Sequence, residues 1–211
     1  MNAALGFAGR GAAVVLLLGA ALPANASTLA RHANETAESF ARRNGPLRAA
    51  LAHKVVETRA WGGTSKAIIA FYEEEEPARS RDGDRRIEGS ICVPEGRGTY
   101  RKIAIDVFEP EGGDPEIEAV FFADAGGDKE KKLVVLCSWP QVHYDYRGRL
   151  YGVFVYEAPR PGTRLTKLKF EDAISKKLES GCDCQWRDGR KTTARYKTAA
   201  AVKTALRKMG P

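Results

Sequence analysis

The chain has 211 residues, of which 43% are hydrophobic and 29% charged, and it carries a formal net charge of +7. This length suits one folded domain with a single hydrophobic core. Lysine and arginine are interspersed with aspartate and glutamate along most of the chain. The positive charge is therefore diffuse and argues against a nucleic-acid-binding protein.

The N-terminal stretch has the features of a bacterial secretory signal. One basic residue, Arg10, precedes an apolar run over 12–22, and the small residues of Ala24-Asn25-Ala26 precede Ser27. The run is shorter than the roughly 20 apolar residues that a membrane-spanning helix needs. We therefore predict a signal peptide over 1–26 and a single exported domain over 27–211. The mature chain would be periplasmic or secreted, with no transmembrane segment.

Apolar residues at helical spacing predict two short amphipathic helices before residue 52, the first of them ending at Asn44-Gly45-Pro46. Beyond them, apolar runs separated by Gly, Pro and Asp predict antiparallel strands. These strands cover residues 67–72, 89–93, 101–108, 117–123, 133–139 and 150–157.

The last of these strands is apolar on both faces, so we expect a helix to cover its second face. A short helix is predicted over 171–178, a tight hairpin at Asp188-Gly189, and a final helix capped by Thr198. The predicted fold class is α+β. It consists of a meander-like antiparallel sheet with N-terminal and C-terminal helices packed on it.

Four cysteines follow the predicted cleavage site, namely Cys92, Cys137, Cys182 and Cys184. An even number in an oxidising compartment predicts disulfides. Direct pairing of Cys182 with Cys184 would close a small, strained ring, so we expect Cys92 and Cys137 each to be linked outside their own segment. Zinc binding is the alternative, although C-x-x-C spacing and nearby histidines are both missing.

An acidic glycine loop joins two apolar strands over residues 121–136. The stretch 124–136 resembles the calcium loop of FG-GAP and VCBS repeats, in which D-x-D-x-D-G-x-x-D precedes an apolar strand. The resemblance makes Asp124 and Asp128, at the first and fifth loop positions, candidate calcium ligands. Gly126 and Lys132 replace two other ligands, so a tight hairpin without metal is preferred and calcium binding is the alternative.

The turn over 139–148 concentrates aromatic and charged side chains between two apolar strands. Loops on rigid strands often carry function. We therefore predict a binding surface formed by Trp139, Tyr144, Tyr146 and Arg147. His143 and Asp145 would share one face of a strand and form an acid–base pair as the alternative. No serine or cysteine in a nucleophile-elbow context accompanies them.

These features favour, by elimination, a non-catalytic periplasmic binding module, of which an inhibitor or immunity-type protein is one form. Its partner would be an unidentified envelope protein or glycan. An envelope hydrolase that acts on a glycan or peptide through His143 and Asp145 is the second hypothesis, and a calcium-responsive surface protein is the third. The sequence indicates no cofactor, and the predicted export argues against nucleic acid as a partner.

Overall fold

The computed structural model of the protein describes residues 28–61, 63–75, 85–125, 130–159 and 163–209. The predicted signal peptide lies outside these ranges. The described elements are, in chain order, β1 (Thr28–Ala30), α1 (Ala37–Asn44), β2 (Ala50–Leu51), β3 (Val56–Thr58), β4 (Ala67–Glu75), β5 (Arg85–Gly96), β6 (Thr99–Phe108), β7 (Glu116–Asp124), β8 (Lys131–Val142), β9 (Tyr146–Tyr156), α2 (Asp172–Lys177), β10 (Gly181–Trp186), β11 (Lys191–Thr192) and α3 (Ala199–Met209).

The strands form two antiparallel sheets. The first sheet has the order β1-β6-β5-β4-β2, with β3 also paired to β4, and the second has the order β11-β10-β9-β8-β7. Alternate side chains of a strand point to opposite faces, so each long strand contributes one apolar row to the space between the sheets. Ile69, Ile91 and Ile103 from the first sheet meet Leu133 and Val135 from the second in one buried cluster.

Short helices cover the outer faces of this sandwich. On the second sheet, Val153 and Val155 of β9 pack against Ile174 of α2 and Leu206 of α3, as the apolar pattern of that strand predicted. On the first sheet, Phe40 of α1 packs with residues of β4, β5 and β6. Each helix buries one stripe only, because the helices are too short to build a core of their own.

The predicted α+β class is wrong, because the protein is largely β. Strands make up 49% of the structure and helices 15%. The predicted strands lengthen and divide between two sheets, which lets their apolar faces bury one another instead of relying on helices. The second predicted N-terminal helix is absent from the described residues, since Ala50 and Leu51 pair with β4 instead.

The first predicted N-terminal helix is shorter than expected for a related reason. Leu29 lies on β1, opposite Tyr100 of β6, and therefore takes no part in a helix. The helix begins only at Ala37, after Thr36 accepts a hydrogen bond from the Ser39 amide at 3.1 Å. Edge pairing to a long strand has overridden the local helical spacing in this segment.

The strands β9 and β10 lie in close contact along their full shared length, and this contact positions the candidate site. Their register places Gly148 opposite Cys184 and Tyr146 opposite Trp186. A Cβ atom at Gly148 would collide with the Asp183 carbonyl oxygen and lie 2.8 Å from the Cys184 sulfur. Glycine at this position therefore lets the two strands approach each other.

Candidate functional site

Two turns lie side by side at one end of the second sheet. One joins β8 to β9 and the other joins β10 to β11, and both fall at this end because β9 and β10 are antiparallel neighbours. The His143 amide donates to the Tyr146 carbonyl oxygen at 2.9 Å, and the Arg187 amide donates to the Asp145 carbonyl oxygen at 2.8 Å. Backbone hydrogen bonds thus continue the sheet into the turns and hold them together.

A row of stacked side chains crosses these strand ends. The ring of Tyr146 lies 4.4 Å from that of His143, at an interplanar angle of 23°, and 4.5 Å from that of Trp186, at 37°. The Arg190 guanidinium lies 4.9 Å from the Trp186 ring centroid. The four side chains lie at the ends of the neighbouring strands β8, β9, β10 and β11. Neighbouring strands of a sheet lie about 4.8 Å apart, which is close to the distance between stacked rings. The sheet spacing itself therefore sets the spacing of the row.

A second cation–π pair lies beside this row. The Arg187 guanidinium is 4.4 Å from the ring centroid of Tyr144, whose exposed fraction is 83%. The neighbouring Val142 is 84% exposed. Tyr144, Arg187 and the exposed Arg147 border a shallow depression of about 340 Å³ between the two turns. We call the whole set the aromatic end: Val142, His143, Tyr144, Tyr146, Arg147, Trp186, Arg187 and Arg190.

The charges at the aromatic end are not equally available. Asp188 accepts hydrogen bonds from the Arg190 backbone amide at 3.0 Å and from the Arg190 side chain, and these bonds lower the pKa of the Asp188 carboxyl. Arg147 and Arg187, by contrast, form no ion pair with any carboxylate of the described ranges. Among the described residues, these two guanidinium groups therefore have no neutralising partner.

Three of the four residues predicted to bind lie at the aromatic end, namely Tyr144, Tyr146 and Arg147. Trp139 does not, because it is only 3% exposed and lies between the two sheets. Its indole N–H donates to the Glu109 carbonyl oxygen at 2.8 Å, which satisfies its single donor inside the core. Trp139 therefore packs in the core and does not contribute to the exposed surface.

Sequence reasoning missed Trp186, Arg187 and Arg190 as members of the site. The Asp188-Gly189 hairpin that carries them was predicted, but its neighbour in the sheet was not. A loop and the helix α2 separate β9 from β10 in the chain, so their pairing leaves no local sequence signal. The turn over 186–190 is, after that over 139–148, a second one with aromatic and basic residues. This composition is the signal that could have indicated them.

His143 and Asp145 are both exposed and line the same depression. The Nε2 atom of His143 lies 3.2 Å from the Gln141 side-chain oxygen, and the ring stacks on Tyr146. Within the described ranges no hydrogen bond joins His143 to Asp145, and no serine, threonine or cysteine lines the depression. The arrangement supplies neither an oriented base nor a nucleophile.

The acidic loop that resembles a calcium site is described only in part. The Asp124 carboxylate forms an ion pair with Lys131 at 2.8 Å. Asp128 lies outside the described residues. In the part of the chain that the structure covers, no group of three or more His, Cys, Asp or Glu side chains is placed to hold a metal ion.

The cysteine pairing differs from the expected one. Cys182 and Cys184 on β10 form a disulfide, with their Cα atoms 5.3 Å apart, whereas Cys92 and Cys137 are buried free thiols. Alternate residues of a strand share a face, so the C-x-C spacing brings the two sulfur atoms together. Cys92 lies under α1 while Cys137 lies between the sheets, so the fold places these two in different layers.

Comparisons with known proteins add no relative. No protein-family model, no curated protein and no solved structure matches this chain. Across the described ranges, the helices lack the combination of length and apolar character needed to cross a bilayer.

Proposed function

We propose that this protein is a non-catalytic binding module of the cell envelope that contacts its partner through the aromatic end. The observation that carries the proposal is the row His143–Tyr146–Trp186, which is held by backbone hydrogen bonds and is open to solvent beside the exposed Tyr144. Trp, Tyr and Arg are the residues that most often dominate the binding energy of protein interfaces. An inhibitor or immunity-type protein is one form of such a module.

The rigidity of this surface favours binding. Ordering flexible side chains at an interface costs roughly 0.5–1.5 kcal/mol each, and stacking between neighbouring rings orders them before the partner arrives. The shallow shape of the depression and the lack of a nucleophile in it favour contact with a partner over turnover of a substrate.

Site-specific photo-crosslinking tests this proposal. A photoreactive phenylalanine analogue replaces Tyr144 in one variant and Leu47, which is 92% exposed, in the control variant. Both are expressed as exported protein and irradiated in intact cells. We expect a crosslinked partner from position 144 and not from position 47, because only the former lies at the aromatic end.

The affinity of the crosslinked partner is then measured for Tyr144→Ala, Trp186→Ala and Leu47→Ala. The first two should each weaken binding by about tenfold or more, as expected for hot-spot residues, and the third should not. Equal crosslinking from both positions, or full affinity in the Tyr144→Ala and Trp186→Ala variants, would sink the proposal.

A further inference from the structure

Arg187 lines the depression at the aromatic end. The Arg187 guanidinium carbon lies over the ring of Tyr144, 4.4 Å from its centroid. A cation–π contact of this kind leaves the N–H donors of a guanidinium available to an anion. A guanidinium presents these donors in a fixed fork that matches a carboxylate. Arg187 forms no ion pair with a carboxylate of the described ranges, so none of these carboxylates engages the fork.

Arg147 adds a second cation to the same depression. It lies opposite Gln185 in the sheet register and is exposed. The acidic groups nearby do not neutralise the pair. Asp188 is engaged by Arg190, and the Asp145 side chain forms no ion pair with described residues. Charge complementarity therefore calls for a negatively charged occupant.

The ring arrangement distinguishes between acidic occupants. A sugar packs on aromatic surfaces through ring faces, but Tyr146 lies against both His143 and Trp186, and Arg190 lies over the Trp186 ring. The exposed groups that remain are the guanidinium groups of Arg147 and Arg187 and the side chains of Val142, His143 and Tyr144. Apolar contact next to two guanidinium groups suits a polypeptide with carboxylate and apolar side chains.

We infer that the aromatic end recognises an acidic segment of a partner protein, with Arg187 and Arg147 binding its carboxylates. This inference rests on the proposed function and names the chemistry of the partner. Tyr144 acts as a positioning residue, since it holds the Arg187 guanidinium in place. Val142 supplies the adjacent apolar contact.

Titration with defined probes, followed by NMR of the ¹⁵N-labelled protein, tests the inference. The probes are an oligoglutamate peptide that contains leucine, an oligogalacturonate of the same charge, and an uncharged Gly-Ser peptide. We expect the acidic peptide to shift the Trp186 indole signal and the backbone signals of Asp145 and Arg187. Raising the salt from about 0.1 M to about 1 M should weaken binding, since the Debye length falls from about 10 Å to about 3 Å.

Variants locate the anion contact. Arg187→Ala and Arg147→Ala should each weaken peptide binding by about tenfold, and Arg187→Lys should recover only part of the loss because an ammonium lacks the planar fork. Arg207→Ala removes an exposed arginine of α3 as the matched control and should leave binding unchanged.

Two results would overturn the inference. Equal or tighter binding of the oligogalacturonate at the same signals would assign the site to acidic glycans. Failure of both acidic probes to shift these signals would exclude anion recognition altogether. Either result leaves the proposed function testable by itself, because the crosslinked partner still shows whether binding depends on Tyr144 and Trp186.

Discussion

Glu35 lies just ahead of α1, and the side chain of Arg43 within α1 binds its carboxylate. Two N–H groups of the Arg43 guanidinium donate to the two carboxylate oxygens of Glu35 at 2.8 Å each, and the His32 amide adds a bond of 3.0 Å. These hydrogen bonds, chiefly those from Arg43, lower the pKa of Glu35 from 4.5 to about 2. The folded state therefore favours the ionised carboxylate.

In the Glu35→Gln variant, the free energy of unfolding should depend less on pH in the acid range. Because the folded pKa is lowered, the contribution of Glu35 is complete above its ordinary pKa of 4.5 and is lost as the pH falls through about 2. Urea unfolding of wild-type protein and Glu35→Gln, measured from about pH 6 to about pH 2, should show a shallower decline in the variant.

Arg43→Gln replaces the other partner of the pair and should remove the same contribution to the free energy of unfolding. The double variant should then lose little more than either single variant, because both substitutions break one interaction. Parallel pH profiles for wild type and Glu35→Gln would contradict this account of the pair.

At the scale of single elements, two tryptophans at strand positions have opposite roles. Trp139 on β8 is buried between the sheets, and Trp186 at the end of β10 is half-buried in the aromatic row. Each follows a cysteine and one polar residue, Ser138 or Gln185, so the local pattern does not separate them. Their difference comes from the tertiary packing, because Trp139 belongs to the core cluster between the two sheets whereas Trp186 packs on Tyr146 in the aromatic row.

Substitution should separate these roles. Trp139→Ala should destabilise the protein by about 3–5 kcal/mol, since it leaves a cavity and an unpaired Glu109 carbonyl oxygen. Trp186→Ala should cost about 1 kcal/mol or less, as is usual for a residue outside the core. Denaturant unfolding measures both, and a larger loss for Trp186→Ala than for Trp139→Ala would reverse the assignment.

The strand predictions were more successful than the fold prediction for a physical reason. Alternation of apolar residues reports which residues face a core, so all six predicted strands overlap observed ones. Alternation does not report which strand is the neighbour. The edge strands β1 and β2 are three residues long or shorter and carry too little pattern to be recognised locally.

For the whole molecule, the two sheets share one buried cluster that includes residues of both. Cys137 lies in that cluster, and Cys92 lies in a separate one beneath α1. Burial raises the pKa of the Cys92 thiol to about 11 and that of the Cys137 thiol to about 12. Both thiols are therefore protected by burial and by their low fraction of thiolate.

Thiol labelling should follow global unfolding. Without reductant, native protein should show no reactive thiol near pH 8, whereas unfolded protein should show the two thiols of Cys92 and Cys137. A peptide spanning Cys182 and Cys184 should be lighter by two hydrogens before reduction, because these residues form the disulfide. A labelled Cys184 in unreduced, unfolded protein would contradict this pairing.

Both thiols should also become reactive over the same range of urea concentration. Separating the sheets exposes their shared core at once, so neither sheet is expected to persist alone. Exposure of Cys92 at clearly lower urea than Cys137 would show instead that α1 and the outer face of the first sheet unfold separately.

The sequence by itself determined the positions of the long strands, the Thr198 cap, and the two turns that carry Tyr144 and Asp188, because each depends on neighbours a few residues away. Only the tertiary structure decided the division into two sheets, the Cys182–Cys184 pairing, the burial of Trp139 and the meeting of Tyr146 with Trp186. These features depend on which strands lie side by side, and that choice is made by burial of apolar faces across the whole chain.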